Sequence, residues 1–240
     1  MRILILGGTG EARQLADRLV ALGHDVTTSL AGRTREPILP RGDIRMGKFG
    51  GVPGLVAYLR ATGVARLVDA THPYADVISA NAVAASSATG IPLVRYVRPG
   101  WIEPAGAGWV HVKDIAGGRD ALPAGACGLV TIGHEGLEVV LARQDCRFVV
   151  RLIEEPMSPL PANAKLVRGR PPHTIEAERE LLIREQISHL ITKNSGGGQT
   201  AAKLEAAAEL GVTIIVVDRP VLPPALEVAT IEDVLRALRL

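Results

Sequence analysis

No stretch of this chain approaches the roughly 20 uninterrupted apolar residues that a membrane-spanning helix requires. The first apolar run, residues 3–6, passes straight into Gly7 and Gly8. That run is also too short for a secretory segment, so a cytoplasmic location and no membrane partner are expected. Cysteine is scarce. Cys127 and Cys146 each fall beside or within an expected strand and read as buried thiols, with one disulfide as the alternative. Two cysteines make no Cys-rich ligand set, and no metal is expected. An excess of one charge is missing too: 27 Lys and Arg face 25 Asp and Glu, a formal net charge of +2, with the arginines dispersed. That excludes a nucleic-acid footprint, although local arginines can still hold an anionic small molecule.

What is present is ordinary globular material, 240 residues at 47% apolar and 22% charged, enough for one large α/β domain or two small ones. Residues 2–6 form a nearly continuous apolar run, as expected of a central parallel strand. An amphipathic helix follows over 10–22, with Ala12, Leu15, Ala16, Leu19 and Leu22 three or four apart and Gly23 as its stop. A second strand is expected over 26–30. Further alternation predicts strands near Ile44 and over 66–70 and 91–95, with helices over 52–62 and 75–87. This spacing predicts an open parallel sheet covered by helices on both faces. Pro99, Gly100, Pro104, Gly106 and Gly108 mark a domain boundary. Beyond it a second series predicts strands over 109–112, 128–132, 147–152, 165–167, 189–192 and 212–217, and helices over 114–122, 175–186 and 200–210. A final helix over 231–238 could pack on either domain. The expected fold is α/β: two Rossmann-like domains with parallel sheets flanked by helices and an active site in the interdomain cleft. The first is expected over 1–98 and the second over 99–240.

Gly7-Gly8-Thr9-Gly10-Glu11-Ala12 lies between the first strand and the first helix. Glycines there permit a tight turn and close approach of backbone to a diphosphate, and the helix N-terminus offers unpaired N–H groups. The full dinucleotide fingerprint is lacking: reading from Gly8 through Gly10 puts Arg13 at the third glycine position, and a tight turn without ligand is the alternative. No Gly-Lys-Ser or Gly-Lys-Thr follows, which argues against a P-loop. The ribose-binding acid expected about 20 residues onward is also missing. Ser29, Arg33 and Arg35 stand in that region, a hydroxyl and two guanidinium groups that suit a 2′-phosphate better than a 2′-hydroxyl. NADPH is therefore favoured over NADH, against a solvated loop with ordinary surface arginines.

Asp69-Ala70-Thr71-His72-Pro73-Tyr74-Ala75 follows another expected central strand, whose carboxyl end belongs to the crevice where ligands bind. Thr71, His72 and Tyr74 could orient a nicotinamide or substrate; the alternative is a helix-starting Pro73 and a locally bonded His72. Lys193-Asn194-Ser195-Gly196-Gly197-Gly198-Gln199 sits at a later strand-to-helix junction and reads as an anion-receiving nest or as a flexible loop. Arg95, Arg98, Arg168, Arg170 and Arg219 lie near other element ends and suit a polyanionic substrate.

These segments together resemble the precorrin-6A reductases of cobalamin biosynthesis. The resemblance extends over essentially the whole chain, including Arg98-Pro99-Gly100-Trp101, Thr131-Ile132-Gly133 and Arg219-Pro220. It implies an oxidoreductase that uses NADPH to reduce one double bond of precorrin-6A, a polycarboxylate tetrapyrrole, giving precorrin-6B. Related anaerobic enzymes act on the cobalt-containing substrate and can use NADH. On this mapping Gly7, Gly8, Thr9, Gly10, Glu11, Ser29, Arg33, Arg35 and Thr71 hold the dinucleotide. Arg95, Arg98, Arg168, Arg170, Lys193, Asn194, Ser195, Gly196, Gly197 and Arg219 meet the substrate's carboxylates. Lys193, His72, Tyr74 or a bound water supplies the proton. His134-Glu135 departs from the pattern and is given no chemistry. Transient contact with neighbouring pathway enzymes is a further expectation. The rivals are an NADP-dependent reductase or epimerase acting on another polyanion, and a non-catalytic NADP-binding sensor or scaffold.

Overall fold

The structure is a computed structural model that describes residues 1–32 and 38–239. It divides into two compact units, Met1–Pro99 with Pro220–Leu240, and Gly100–Arg219. The first begins with β1 (Arg2–Leu6), α1 (Gly10–Ala21), β2 (Asp25–Leu30), β3 (Asp43–Met46), α2 (Gly51–Thr62), β4 (Arg66–Asp69), α3 (Asp76–Thr89) and β5 (Leu93–Tyr96). The second contains β6 (Val110–Val112), α4 (Ile115–Asp120), β7 (Cys127–Thr131), α5 (Leu137–Leu141), β8 (Arg147–Leu152), β9 (Ala164–Arg168), α6 (Ile175–Arg184), β10 (His189–Lys193), α7 (Ala202–Glu209) and β11 (Thr213–Val217). The chain then returns to the first unit with β12 (Leu226–Val228) and α8 (Ile231–Leu238). No helix among the described residues is long and apolar enough to cross a membrane.

The first sheet has six strands in the order β3-β2-β1-β4-β5-β12, every pairing parallel. A strand in such a sheet is buried on both faces, and alternate residues serve opposite cores. Ile3 and Ile5 join the core that contains Leu15 and Leu19 of α1 and Val234 and Leu238 of α8. Leu4 and Leu6 join the one that contains Leu55 and Leu59 of α2 and Ala82 and Ala85 of α3. A one-residue slip would exchange the two sets, so the register of the strand is tightly held. Thr9 starts α1 by accepting the Ala12 N–H on its hydroxyl, and the same device starts α8 at Thr230.

The second sheet also has six parallel strands, in the order β9-β8-β7-β10-β11-β6. Taken from β7 it repeats the order of the first sheet, except that its outermost place is filled by the strand that opens the segment. Val130, Ile191 and Ile215 meet the core shared with α5, while Leu129, Leu190 and Ile214 meet the core shared with α6 and α7. Two flanked parallel sheets are the architecture the alternation predicts. The expected second domain over 99–240 needs correction at its end. β12 pairs with β5, and Val234 and Leu238 of α8 are fully buried beside Val94 and Tyr96. The short α5 and β12 have no counterpart in the sequence reading, because five and three residues carry too little periodicity.

Arg95 is the second correction. The sequence reading puts it among the substrate contacts, but its side chain is 3% exposed and lies in register with Asp69 on one neighbouring strand and Glu227 on the other. Its Nε donates to Asp69 Oδ2 at 3.4 Å, and its Nη1 donates to Glu227 Oε1 at 2.8 Å and to the Pro223 carbonyl at 3.0 Å. The arginine therefore fastens the returning chain to the sheet. Replacing Arg95 with Met strands the buried Asp69 carboxylate and should cost about 3–5 kcal/mol in urea unfolding. Glu227→Gln, at a side chain 52% exposed, should cost no more than about 1 kcal/mol. Equal costs would disprove this division of roles.

Candidate functional site

In an open parallel sheet, a crevice forms at the carboxyl edge where neighbouring strands lead off in opposite directions, here between β1 and β4. The turn after β1 is drawn tightly against β2. The Gly7 N–H donates to the Ser29 carbonyl at 2.9 Å, and a Cβ on Gly7 would stand 2.8 Å from Thr28 Cγ2 and 3.5 Å from Ala12 Cβ. Gly8 has φ of +116°, with open space where a Cβ would stand. The packing moves the fingerprint one residue earlier than the sequence reading has it. Gly7 makes the tight turn, and Ala12, 1% exposed, takes the small-residue position between helix and strand. Arg13 is then simply the next residue of α1. The Thr9 hydroxyl donates to the Ala70 carbonyl at 2.9 Å while capping α1, tying the turn to the end of β4. Gly10 and Glu11 open the helix, where N–H groups have no intrahelical acceptor.

At the end of β4 the buried Asp69 organises the next turn. Its Oδ1 accepts the Thr71 N–H at 3.2 Å and the Thr71 hydroxyl at 2.7 Å. His72 Nδ1 accepts the Tyr74 N–H at 3.3 Å, and the two rings lie 5.6 Å apart. Thr9, Glu11, Thr71, Pro73, Tyr96 and Arg98 line a small hollow beside these turns. Arg98 Nη1 donates to Glu11 Oε2 at 2.7 Å at its rim. Burial, reinforced by the Glu11 charge, raises the Tyr96 phenol above its ordinary pKa. Thr9, Glu11, Thr71 and Arg98 are thus brought together. Arg33 and Arg35 lie outside the described residues. Ser29 is buried near the end of β2, and the sequence reading missed its neighbour: Arg45 of β3 donates to Ser29 Oγ at 3.4 Å.

The equivalent switch point of the second unit lies between β7 and β10, and Lys193 ends β10 there. The segment after it is clamped. Asn194 Oδ1 accepts the Trp101 N–H at 2.7 Å, its Nδ2 donates to the Trp101 carbonyl, and the Trp101 indole donates to the Gly197 carbonyl at 2.9 Å. Arg219 donates to the Asn194 and Ser195 carbonyls at 2.9 and 3.2 Å. Gly196 and Gly197 have φ of +69° and +75°, the backbone region that glycine enters most readily. Asn194 and Arg219, expected as substrate contacts, therefore shape the loop. Arg168, the last residue of β9, pairs with Glu155 at 3.3 Å, and Arg170 follows it two residues on.

Lys203 is a functional candidate absent from the sequence reading, because nothing in the local pattern marks a helical lysine as buried. Its side chain is buried, its Nζ donates to Thr131 Oγ1 at 3.1 Å, and it lies 5.2 Å from the centre of the Trp101 ring. Burial, with the Arg151 charge adding to it, lowers its pKa to about 7. Arg151 Nη1 reaches both Glu178 oxygens at 2.7 Å, so the nearby carboxylate is already paired.

Two outcomes follow from these contacts. Gly7→Ala should destabilise the fold by about 1–3 kcal/mol, and Thr28→Ser, which deletes the opposing methyl, should recover part of that loss in a double-mutant cycle. Additive losses would refute the contact. For Lys203, the folded state binds fewer protons than the unfolded state between pH 7 and 10.5, so stability rises with pH across that window. Lys203→Met removes the rise, so the stability difference between variant and wild type should move in favour of wild type as pH increases from 7 to 10. Parallel pH profiles in urea unfolding would exclude the buried ammonium as its cause.

Residues 2–239 match the family described as Precorrin-6x reductase CbiJ/CobK. A precorrin-6A reductase of Rhodococcus erythropolis is 45% identical over 239 residues, covering 99% of this chain and 96% of the relative. A cobalt-precorrin-6A reductase of Priestia megaterium is 31% identical over 250 residues, covering 98% and 97%. A solved structure of a CobK precorrin-6A reductase, 43% identical, superposes with a TM-score of 0.94 and covers 100% of this chain and 96% of that one. With agreement at this length, identity and fold, the chain belongs to the precorrin-6x reductase CbiJ/CobK family.

Proposed function

We propose that this chain is a cytoplasmic precorrin-6A reductase of cobalamin biosynthesis that takes its hydride from NADPH. The observation that carries the reading is the end-to-end similarity to precorrin-6A reductases, 45% identical in the Rhodococcus relative against 31% in the cobalt-precorrin-6A relative. That difference favours the cobalt-free substrate. The turn after β1 fits a dinucleotide: Gly8 leaves open space where any other residue would carry a Cβ, and the first N–H groups of α1 lie beside it.

When bound, the nicotinamide supplies a hydride to one double bond of the macrocycle. Gly8, Thr9, Gly10 and Glu11 cradle the diphosphate through backbone N–H groups, Gly7 draws the turn against β2, and Thr9 holds it against β4. Ser29 and the segment after it take the adenosine ribose, with Arg33 and Arg35 added from the sequence. Thr71, fixed by Asp69, orients the reactive end. Arg98, Arg168, Arg170, Lys193, Ser195, Gly196 and Gly197 receive the acetate and propionate groups, while Asn194 and Arg219 hold the loop that presents them. Guanidinium groups match carboxylates in charge and geometry, so these contacts fix the macrocycle. Lys193, His72 and Tyr74 are the side chains proposed to deliver the proton that completes the reduction.

Purified protein should oxidise NADPH only when precorrin-6A is supplied, giving a product two hydrogens heavier by mass spectrometry. Tight NADPH binding without turnover of intact substrate would instead support a sensor or scaffold. Turnover restricted to the cobalt-containing macrocycle would move the assignment to the anaerobic substrate.

A further inference from the structure

Arg45 lies outside every segment that marks the nucleotide turn, yet the sheet brings it there. It is the penultimate residue of β3, in register with Ser29, the penultimate residue of β2. Ser29 in turn accepts the Gly7 N–H on its carbonyl, so the pair abuts the glycine turn directly. We propose that Arg45, acting with Ser29, selects a dinucleotide carrying a 2′-phosphate over one carrying a 2′-hydroxyl, an inference that rests on the nucleotide site proposed above.

Three features of the side chain carry it. First, the guanidinium is held rigidly: it lies 3.7 Å from the centre of the Phe49 ring and 5.4 Å from that of Tyr58, and it donates to the carbonyls of Gly47 and Lys48. A guanidinium stacked and bonded in this way loses little further freedom on meeting a ligand. Second, it keeps donors in reserve. Of five N–H groups, Nη1 reaches Ser29 Oγ and the Gly47 carbonyl and Nη2 reaches the Lys48 carbonyl, leaving Nε–H and one Nη2–H without an acceptor among the described residues. Two neighbouring N–H groups form the fork that matches two phosphate oxygens. Third, among the described residues no acid is paired with it. Arg95 and Arg98 are neutralised by Asp69, Glu227 and Glu11, whereas the partners of Arg45 among the described residues are neutral carbonyls, a hydroxyl and aromatic rings. A positive charge, half-buried and fixed at the end of the strand beside the one expected to carry a ribose-binding acid, favours a dianion there.

The experiment measures dissociation constants of NADPH and NADH by calorimetry for the intact chain and for Arg45→Gln and Arg45→Lys, with 2′-phosphoadenosine and adenosine as fragment probes. Wild type should favour NADPH. Arg45→Gln should weaken NADPH by about 10–100-fold, the range of a lost charge-assisted bond, and leave NADH within about twofold. Arg45→Lys, which keeps the charge and loses the fork, should fall between them, and it decides the matter if the Gln variant does not fold. The 2′-phosphoadenosine probe should lose affinity in step with NADPH, while adenosine should not. Equal losses for both dinucleotides, or unchanged selectivity, would overturn the role of Arg45 alone. Wild type without preference for NADPH would overturn both this role and the cofactor proposed above.

Discussion

A parallel sheet has no wet face. Both surfaces of each six-stranded sheet here are covered by helices, so alternate residues of one strand must satisfy two separate apolar cores. Polar chemistry is thereby driven to the strand ends. In each unit the order of strands reverses direction at one place, β1 beside β4 and β7 beside β10, and the residues of interest gather at the carboxyl ends of those strands. The location of the candidate sites is a consequence of how the strands are buried.

Building such an edge uses many of the groups that a ligand would otherwise meet. Thr9 bonds the Ala70 carbonyl and caps α1, Asp69 is divided between Thr71 and Arg95, and Arg219 and Trp101 hold the carbonyls after β10. These side chains act by fixing backbone. Reception of an anion then falls to backbone N–H groups and to the basic side chains near these strand ends. A rigid frame of this kind lowers the ordering cost of binding, because the loop is already held in place before the ligand arrives.

Much of this was legible in the sequence. Strand and helix alternation predicted both sheets, and Gly7 and Gly8 located the first turn. Its register was misread by one residue, since a glycine pattern does not reveal that Ala12 is small enough to serve against Gly7. Arg95 looked like a ligand contact because its partners, Asp69 and Glu227, are remote in sequence and meet it only across three strands. Lys203 carries no signal in the sequence, and only the fold buries it beside Thr131 at the end of β7. Arg45 escaped notice for the same kind of reason, since β3 becomes the neighbour of β2 only in the folded sheet.

The sequence by itself determined which segments are strands or helices, where the glycines bend the chain, and the family to which the whole pattern is similar. Those properties depend on neighbours a few residues apart, where periodicity and backbone preference act. Only the tertiary structure decided that residues 220–240 return to the first sheet, which arginines are neutralised from within, and which basic group stands beside Ser29. Each of these depends on pairing between strands far apart in the chain, and no local pattern records which strand lies beside which.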